Sequence, residues 1–391
     1  MRSVRDIEVA DKKVLVRVDY NLPMDENLNI TDDNRIKATL PLIKYLISHG
    51  AGIILISHMG RPGGKRVPAL SLAPAALCLS RLLGQKVEFL EECVGSAVEN
   101  RTEHLKSGDI ILLENLRFHK GEKSNDPVFA RKLAGLCDVY VNNAFSVSHR
   151  DQASVTGITA FVPVSAAGFL LEKELKSYYN SVVNPERPLV AIIGGAKVSG
   201  KLEALQNMLK FVDKLIIGGA MANTFLKSQG VDIKGSLVED DLVDTAGQIV
   251  KTAREKGVEL LLPIDLTAAE KFDKNAPART VQLDNIPDKW MALDIGPKSG
   301  DLFAKAVAGA GTIVWNGPMG VFEMDKFING TKMVARAVAE SNAFSIIGGG
   351  DTGLAVKRCG IADKVSYIST GGGAFLYLME GKELPGVKAL E

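Results

Sequence analysis

Several features that would narrow the function early are scarce or missing in this 391-residue chain. Its four cysteines, Cys78, Cys93, Cys137 and Cys359, are scattered, with no Cys-x-x-Cys pair and no histidine at metal-ligand spacing. Such usage predicts reduced thiols rather than a disulfide framework. Charge of one sign is missing too. A net charge of +1 gives no reason to expect nucleic acid or an anionic membrane as a partner. Long apolar runs are absent. The weakly apolar stretch 157–171 contains Pro163 and falls short of a membrane span. The start, MRSVRDIEVADKKVLV, carries no apolar h-region of a secretory signal. A cytoplasmic protein is therefore expected. No Ser-His-Asp arrangement or close carboxylate pair suggests a hydrolase. What remains is an ordinary globular composition, 46% hydrophobic and 24% charged, in a chain longer than one compact core. Two domains are expected.

The stretch from Leu189 to Lys201, LVAIIGGAKVSGK, reads as a buried strand, a glycine turn and a helix start. Bare glycines let backbone N–H groups approach an anion, and a helix N-terminus adds partial positive charge. Lys197 and Lys201, at i and i+4, would share one face of the first turn. The stretch is either a phosphate site or a tight turn with two solvated lysines. It is not a Walker A loop: Gly195 to Lys201 spells G-x-x-x-x-G-K, but Leu202 stands where a Mg²⁺-binding hydroxyl is needed.

Short apolar runs in the first half end in polar residues: Lys13 to Val18 at Asp19, Ile53 to Ile56 at Ser57-His58, Ile110 to Leu113 at Glu114-Asn115, and Val139 to Val141 at Asn142-Asn143. Helical stretches lie between them, at 33–48 and 71–83. Strand alternating with helix implies a parallel sheet, with ligands outside the carboxyl ends of its strands. All five histidines fall before residue 150, and Arg17, Arg35, Arg61, Arg117 and Arg150 sit at strand ends or helix openings. Any one arginine could be a surface ion pair. Five converging with His58 predict a site for a small, highly anionic molecule. In His58-Met59-Gly60-Arg61-Pro62, Gly60 lets the loop fold tightly and aim two charges at one place.

The helical stretch 170–183 separates two strand–helix series and marks the expected domain boundary, or simply the last helix of the first domain. Beyond it, strand ends turn glycine-rich: Gly194-Gly195, Gly218-Gly219, Asn316-Gly317-Pro318, Gly348 to Thr352, and Ser369 to Gly373. A sheet rim stripped of side chains suits a flat base and a polyphosphate better than any packing need. Gly348, Gly350 and Gly353 satisfy G-x-G-x-x-G, but the next strand ends in Ser369-Thr370 rather than an acid, which sets aside a dinucleotide fold. Asp351 reads as a Mg²⁺ carboxylate or a helix N-cap.

The motifs RVDYNLP (17–23), SHMGRP (57–62), ENLRFHKGE (114–122), GGAKVSGKL (194–202), WNGPMGVFE (315–323), GGGDT (348–352) and STGGGA (369–374) closely resemble, in order and across the whole chain, the phosphoglycerate kinase family. The resemblance implies an α/β protein of two similar doubly wound parallel-sheet, Rossmann-like domains facing each other across a cleft. It implies a phosphoglycerate-binding domain at 1–169 on which the tail from about 380 to 391 packs, an interdomain helix at 170–186, and a nucleotide-binding domain at 187–379. The implied reaction is reversible phosphoryl transfer between 1,3-bisphosphoglycerate and MgADP, giving 3-phosphoglycerate and MgATP, in line within a closed cleft and without a general base. A different two-domain kinase of a small anionic carboxylic acid is the alternative. By motif, Asp19, Asn21, Arg35, His58, Met59, Gly60, Arg61, Arg117 and Arg150 resemble the phosphoglycerate site. Gly195, Ala196, Lys201, Gly219, Pro318, Glu323, Gly349, Gly350, Asp351 and Thr352 resemble the nucleotide site, with Glu323 toward the ribose and Asp351 toward Mg²⁺. Arg35, Lys197, Gly371 and Gly372 resemble the groups around the phosphoryl in flight. A monomer is implied. The chain departs from the family's usual pattern at Asn143 and Gly200, where many members carry Asp, and at Gly353, where Ala is common.

Overall fold

The computed structural model describes all 391 residues, which form two compact units. The first comprises Met1–Leu175 and Glu383–Glu391, and the second Lys176–Lys382.

In the first unit, six strands, β1 (Lys13–Arg17), β2 (Gly52–Ile56), β3 (Glu88–Leu90), β4 (Ile110–Leu113), β5 (Val139–Asn142) and β6 (Val164–Ala167), form one parallel sheet in the order β3-β4-β2-β1-β5-β6. The runs VLVR, GIILI and IILL are buried along their whole length, as a sheet covered on both faces demands. The neighbours of β1 lie on either side of it, so the strand order reverses there. Register aligns Arg17 with Ile56 and with Asn142. Asp19, His58 and Asn143, each just past one of these residues, therefore emerge along one edge.

The stretch 33–48 is two helices rather than one, Asn34–Lys37 and Leu40–Ser48. Pro41 opens the second, where its missing N–H costs nothing. Thr39, buried at the break, turns its hydroxyl to Tyr20 Oη (2.8 Å) and Ile36 O (2.7 Å). The stretch 170–183 is an α-helix, Phe169–Tyr178, continued by a π-turn, Tyr179–Val183. The tail returns to the first unit, where Gly386 N donates to Ser148 O at 2.8 Å.

In the second unit the strands are β7 (Leu189–Ile193), β8 (Lys214–Ile217), β9 (Glu259–Leu261), β10 (Asp265–Ala269), β11 (Ala278–Gln282), β12 (Met291–Ile295), β13 (Thr312–Asn316), β14 (Phe344–Gly348) and β15 (Tyr367–Ile368). Six of them form a parallel sheet, β15-β14-β13-β7-β8-β9, the doubly wound order with its switch point between β7 and β13. The other three form an antiparallel sheet, β11-β10-β12, which the sequence reading did not foresee. Its strand ARTVQ exposes every residue but Val281, so the hydrophobic signal of a buried strand is missing there.

Candidate active site

In the first unit the site is built from side chains. Asp19, nearly buried, accepts from the Arg35 guanidinium, the Ser146 hydroxyl and Asn21 N (3.1 Å). Burial opposes its ionisation, but the Arg35 and Arg17 guanidinium groups and the Ser146 hydroxyl outweigh that and hold its carboxyl below the usual range. Asn21 Oδ1 accepts from Gly60 N at 2.9 Å, tying the first strand end to the second. Gly60 has φ +62°, and a Cβ there would lie 2.8 Å from Leu70 Cδ2, so the turn needs glycine.

Asn115, fully buried, staples this loop from the other side, accepting from Met59 N (3.1 Å) and donating to Met59 O (2.7 Å). The Met59 side chain belongs to the core, so its part in the site is backbone. Arg117 donates to Gly60 O at 2.7 Å; burial, with Arg150 and Arg17 close by, presses its pKa down to about 10. It stays charged at neutral pH and lacks a carboxylate partner here. Arg61, Arg117 and Arg150 line a cavity of about 790 Å³ together with Lys120 and Lys123. A cavity that gathers so many cations is a receptor for an anion.

Two expectations change here. Arg17 does not face a ligand: its side chain is fully buried and spent on Ser154, Val18 and His58. Nor does His58 bring a second charge beside Arg61. Burial first, then Arg17, Arg117 and Arg150, hold its pKa well below 6.5 against the pull of Asp19. The ring is neutral.

In the second unit the site is mostly backbone. Ile193 pairs with Asn316, and Asn316 with Gly348, so the glycine turns meet at the switch point. Gly194 N donates to Asn316 O (2.9 Å), Gly195 N to Pro318 O (3.0 Å) and Gly219 N to Met319 O (3.1 Å). A Cβ on Gly194 would lie 2.1 Å from Pro318 O, and one on Gly218 2.4 Å from Met319 Sδ. Packing of loop on loop is thus what demands these glycines, contrary to the expectation that a ligand does. Their N–H groups are already engaged.

The turn after β7 also differs from expectation. The helix begins at Leu202, with Lys201 as its N-cap residue, so Lys197 and Lys201 do not share a first helical turn. The segment before it is held by Glu239, whose carboxylate accepts from Val198 N, Ser199 N (3.1 Å) and Ser199 Oγ. These contacts satisfy two backbone donors ahead of the helix and fix the path of the segment. Lys197 is left exposed. Lys201 Nζ donates to Gly194 O (2.7 Å) and Asn316 O (2.9 Å), bridging β7 and β13. Burial lowers its pKa to about 8, partly offset by Asp351.

Beside these turns lies a cavity of about 540 Å³. Gly195, Ala196, Gly219, Pro318, Glu323 and Asp351 line it, as the motifs led us to expect. Leu266, Phe272 and Leu293 form walls that sequence reasoning missed, because they come from or adjoin the unforeseen antiparallel sheet. Thr352 Oγ1 accepts from Gly317 N at 2.7 Å and is structural in this arrangement. Asp351 lies in the first turn of the helix Gly350–Arg358, whose cap position is Gly349, so Asp351 is not the N-cap. Gly371 caps the helix Gly372–Met379 in the same unit.

A family model described as phosphoglycerate kinase matches residues 4–382. The chain belongs to the phosphoglycerate kinase family. A phosphoglycerate kinase of Desulforapulum autotrophicum is 64% identical over 391 residues, covering all of both chains. One from Desulfosudis oleivorans is 56% identical, covering all of this chain and 99% of its own. Among solved structures, phosphoglycerate kinase from Coxiella burnetii aligns at TM-score 0.90 and 43% identity, over 99% of this chain and 98% of that one. That of Pyrococcus horikoshii OT3 aligns at 0.88 and 33%, over 100% and 98%. Membership makes the chain an enzyme, a kinase of glycolytic phosphoryl transfer between bisphosphoglycerate and ADP. The alternative of another acid kinase is not favoured.

Proposed function

We propose that the first unit binds phosphoglycerate and the second the nucleotide, with the phosphoryl group passing between them in line. The observation that carries this reading is the contrast of the two cavities, one lined by Arg61, Arg117 and Arg150, the other by glycine turns and apolar walls. Guanidinium forks match carboxylate and phosphate oxygens, while the apolar slot suits a flat base. Asp19 and Asn21 act by shaping the first site, Gly60 and Met59 by backbone, and Glu323 receives ribose hydroxyls at the mouth of the second.

The reacting carboxylate is itself a competent nucleophile and leaving group, so no general base is required. Catalysis reduces to alignment and charge neutralisation. Arg35 and Lys197 neutralise the transferring oxygens, and the helix start at Gly371-Gly372 adds backbone donors. Water must be excluded, or the acyl phosphate is hydrolysed. Transfer at about 3–3.5 Å therefore requires closure around both substrates. Small-angle scattering with both present should show a drop in radius that neither substrate gives alone. An unchanged radius would sink the closure while leaving the activity intact.

For Mg²⁺, Asp351 fits. It is an exposed hard-oxygen ligand on the wall of a cavity that Asp294 and Glu323 also line. One carboxylate suffices for an ion that takes most of its shell from phosphate oxygens and water. When bound, the ion supplies charge neutralisation to the phosphates. Asp351→Asn should weaken MgADP binding about tenfold more than metal-free ADP, read by calorimetry. Equal losses would mean that the carboxylate does not serve the metal. The enzyme is expected to work as a cytoplasmic monomer, which sedimentation would test.

A further inference from the structure

Behind His58 a line of buried polar groups runs through the first unit. Glu122 is fully buried, and its two carboxylate oxygens accept from Ser154 N (3.0 Å) and Ser154 Oγ (2.6 Å). The serine proton is thereby committed to Glu122, which leaves a lone pair on Oγ. Arg17 Nε donates to that lone pair at 2.9 Å. The same guanidinium, wholly buried, donates to Val18 O and meets His58 Nδ1 at 3.1 Å.

The directions along this line are forced. Arginine has five N–H donors, no acceptor, and keeps its proton. His58 Nδ1 must then be the accepting nitrogen, and the ring's single proton sits on Nε2. The 3.9 Å approach of Nδ1 to Asp19 Oδ1 is accordingly not an ion pair. Asp19 takes its donors from Arg35, Ser146 and Asn21 instead.

We propose that Glu122, Ser154 and Arg17 are positioning residues that fix His58 as the neutral Nε2–H tautomer, so that it meets phosphoglycerate as a one-way hydrogen-bond donor. The proposal rests on the reading of His58 as a phosphoglycerate ligand. A neutral donor discriminates in a way a cation does not, since it rewards an acceptor atom at one point rather than negative charge anywhere nearby. Burial of Glu122 has the same logic. A carboxylate out of water is costly unless its oxygens are satisfied. This one is placed where it orients a hydroxyl, and the hydroxyl orients the arginine.

The test is ¹⁵N spectroscopy of the histidine side chains in the full chain without substrate at pH 7, with His58→Asn to assign the resonance. The expected result is a proton on Nε2 and none on Nδ1. Ser154→Ala removes the acceptor for Arg17 and the donor for Glu122. It should give a mixture of tautomers and raise KM for 3-phosphoglycerate about tenfold, with kcat and KM for ATP within twofold of the parent. Ser154→Thr keeps the hydroxyl and should keep the tautomer. If Ser154→Ala does not fold, Glu122→Gln decides, because it keeps the volume and removes the charge that orients the hydroxyl. A proton on Nδ1 in the parent overturns the proposal. So does an unchanged tautomer and KM in the variant that folds. Adding 3-phosphoglycerate separates the two readings: an unmoved His58 resonance refutes the ligand role and leaves the tautomer result standing.

Discussion

At the carboxyl end of β1, Asp19 is met by the side chains of Arg35 and Ser146; at that of β7, Gly194 lies against the turn after β13 and its N–H donates to the O of Asn316, the last residue of β13. Both positions close a central parallel strand at a reversal of strand order. The first unit fills that place with charge held by other charge. The second fills it with backbone packed on backbone, leaving one lysine to bridge two strands. Their sensitivities should therefore be opposite: the first to loss of a charged group, the second to gain of a single carbon.

The largest effect is expected at Arg35. It neutralises Asp19 in the resting site and, as proposed, the phosphoryl group in transfer. Arg35→Ala should cut kcat by about 10²–10³, the loss typical of removing one donor that acts in the transition state. A near-normal kcat with a raised KM would show that Arg35 merely binds. Next comes Gly194→Ala, whose new Cβ would fall 2.1 Å from Pro318 O and 2.7 Å from Gly317 O, backbone atoms that cannot swing aside as a side chain could. Overpacking of this kind costs about 1–3 kcal/mol. ADP affinity should fall about tenfold or more, while 3-phosphoglycerate titrates as in the parent. Equal losses for both ligands would break the contrast between the units.

Much of this contrast is legible in the sequence, but unevenly. Buried strands of the VLVR and LVAII kind announce themselves, and their polar or glycine ends mark the two rims. Composition of a rim does not say what the rim is for. Arg17 reads like Arg61, yet one is buried and the other exposed, because β1 is central and the loop after β2 is not. Gly194 reads like a phosphate contact, yet the oxygen it makes room for belongs to Pro318. Glu122 and Asn115 lie inside a motif already singled out, but a buried carboxylate and a surface one look alike in one dimension. The apolar walls from Leu266 and Leu293 depend on strand pairing between residues far apart in the chain, which local periodicity does not encode.

A smaller effect probes the bridging lysine of the second unit. With its pKa lowered from 10.5 to about 8 by burial, Lys201 is about half charged at pH 8. Phosphate oxygens would favour its ammonium form, so nucleotide binding should take up about half a proton at pH 8 and almost none at pH 6. Calorimetry in two buffers of different ionisation heat reads this directly, and Lys201→Met should abolish it. Stability carries the same sign. The unfolded chain binds this proton more tightly, so the cost of the buried charge is relieved as pH rises from about 8 toward 10.5. Uptake that persists in Lys201→Met would assign the titration elsewhere.

The smallest effect is expected where the first unit leaves a polar group unmatched. Asn143 is fully buried; its Oδ1 accepts from Leu170 N at 2.9 Å, at the start of the helix Phe169–Tyr178, while its Nδ2 finds no partner. An orphaned buried donor is a cost, and a helix N-terminus favours an oxygen bearing negative charge over an amide. Asn143→Asp replaces the orphan with such an oxygen. Against this stands the desolvation of a carboxylate, which the helix end and one N–H offset in part. The net gain should be about 0.5–1 kcal/mol at pH 7, raising the unfolding temperature by about 2 °C. If the helix end depresses the new carboxyl's pKa, the gain is present above the unfolded value near 3.9 and is lost as pH falls through the folded one. Thermal unfolding at pH 7 and pH 3 would show a difference between parent and variant that shrinks with acid. A variant less stable than the parent at pH 7 would mean that burial outweighs the helix field, and that the first unit tolerates new charge no better than the second tolerates new volume.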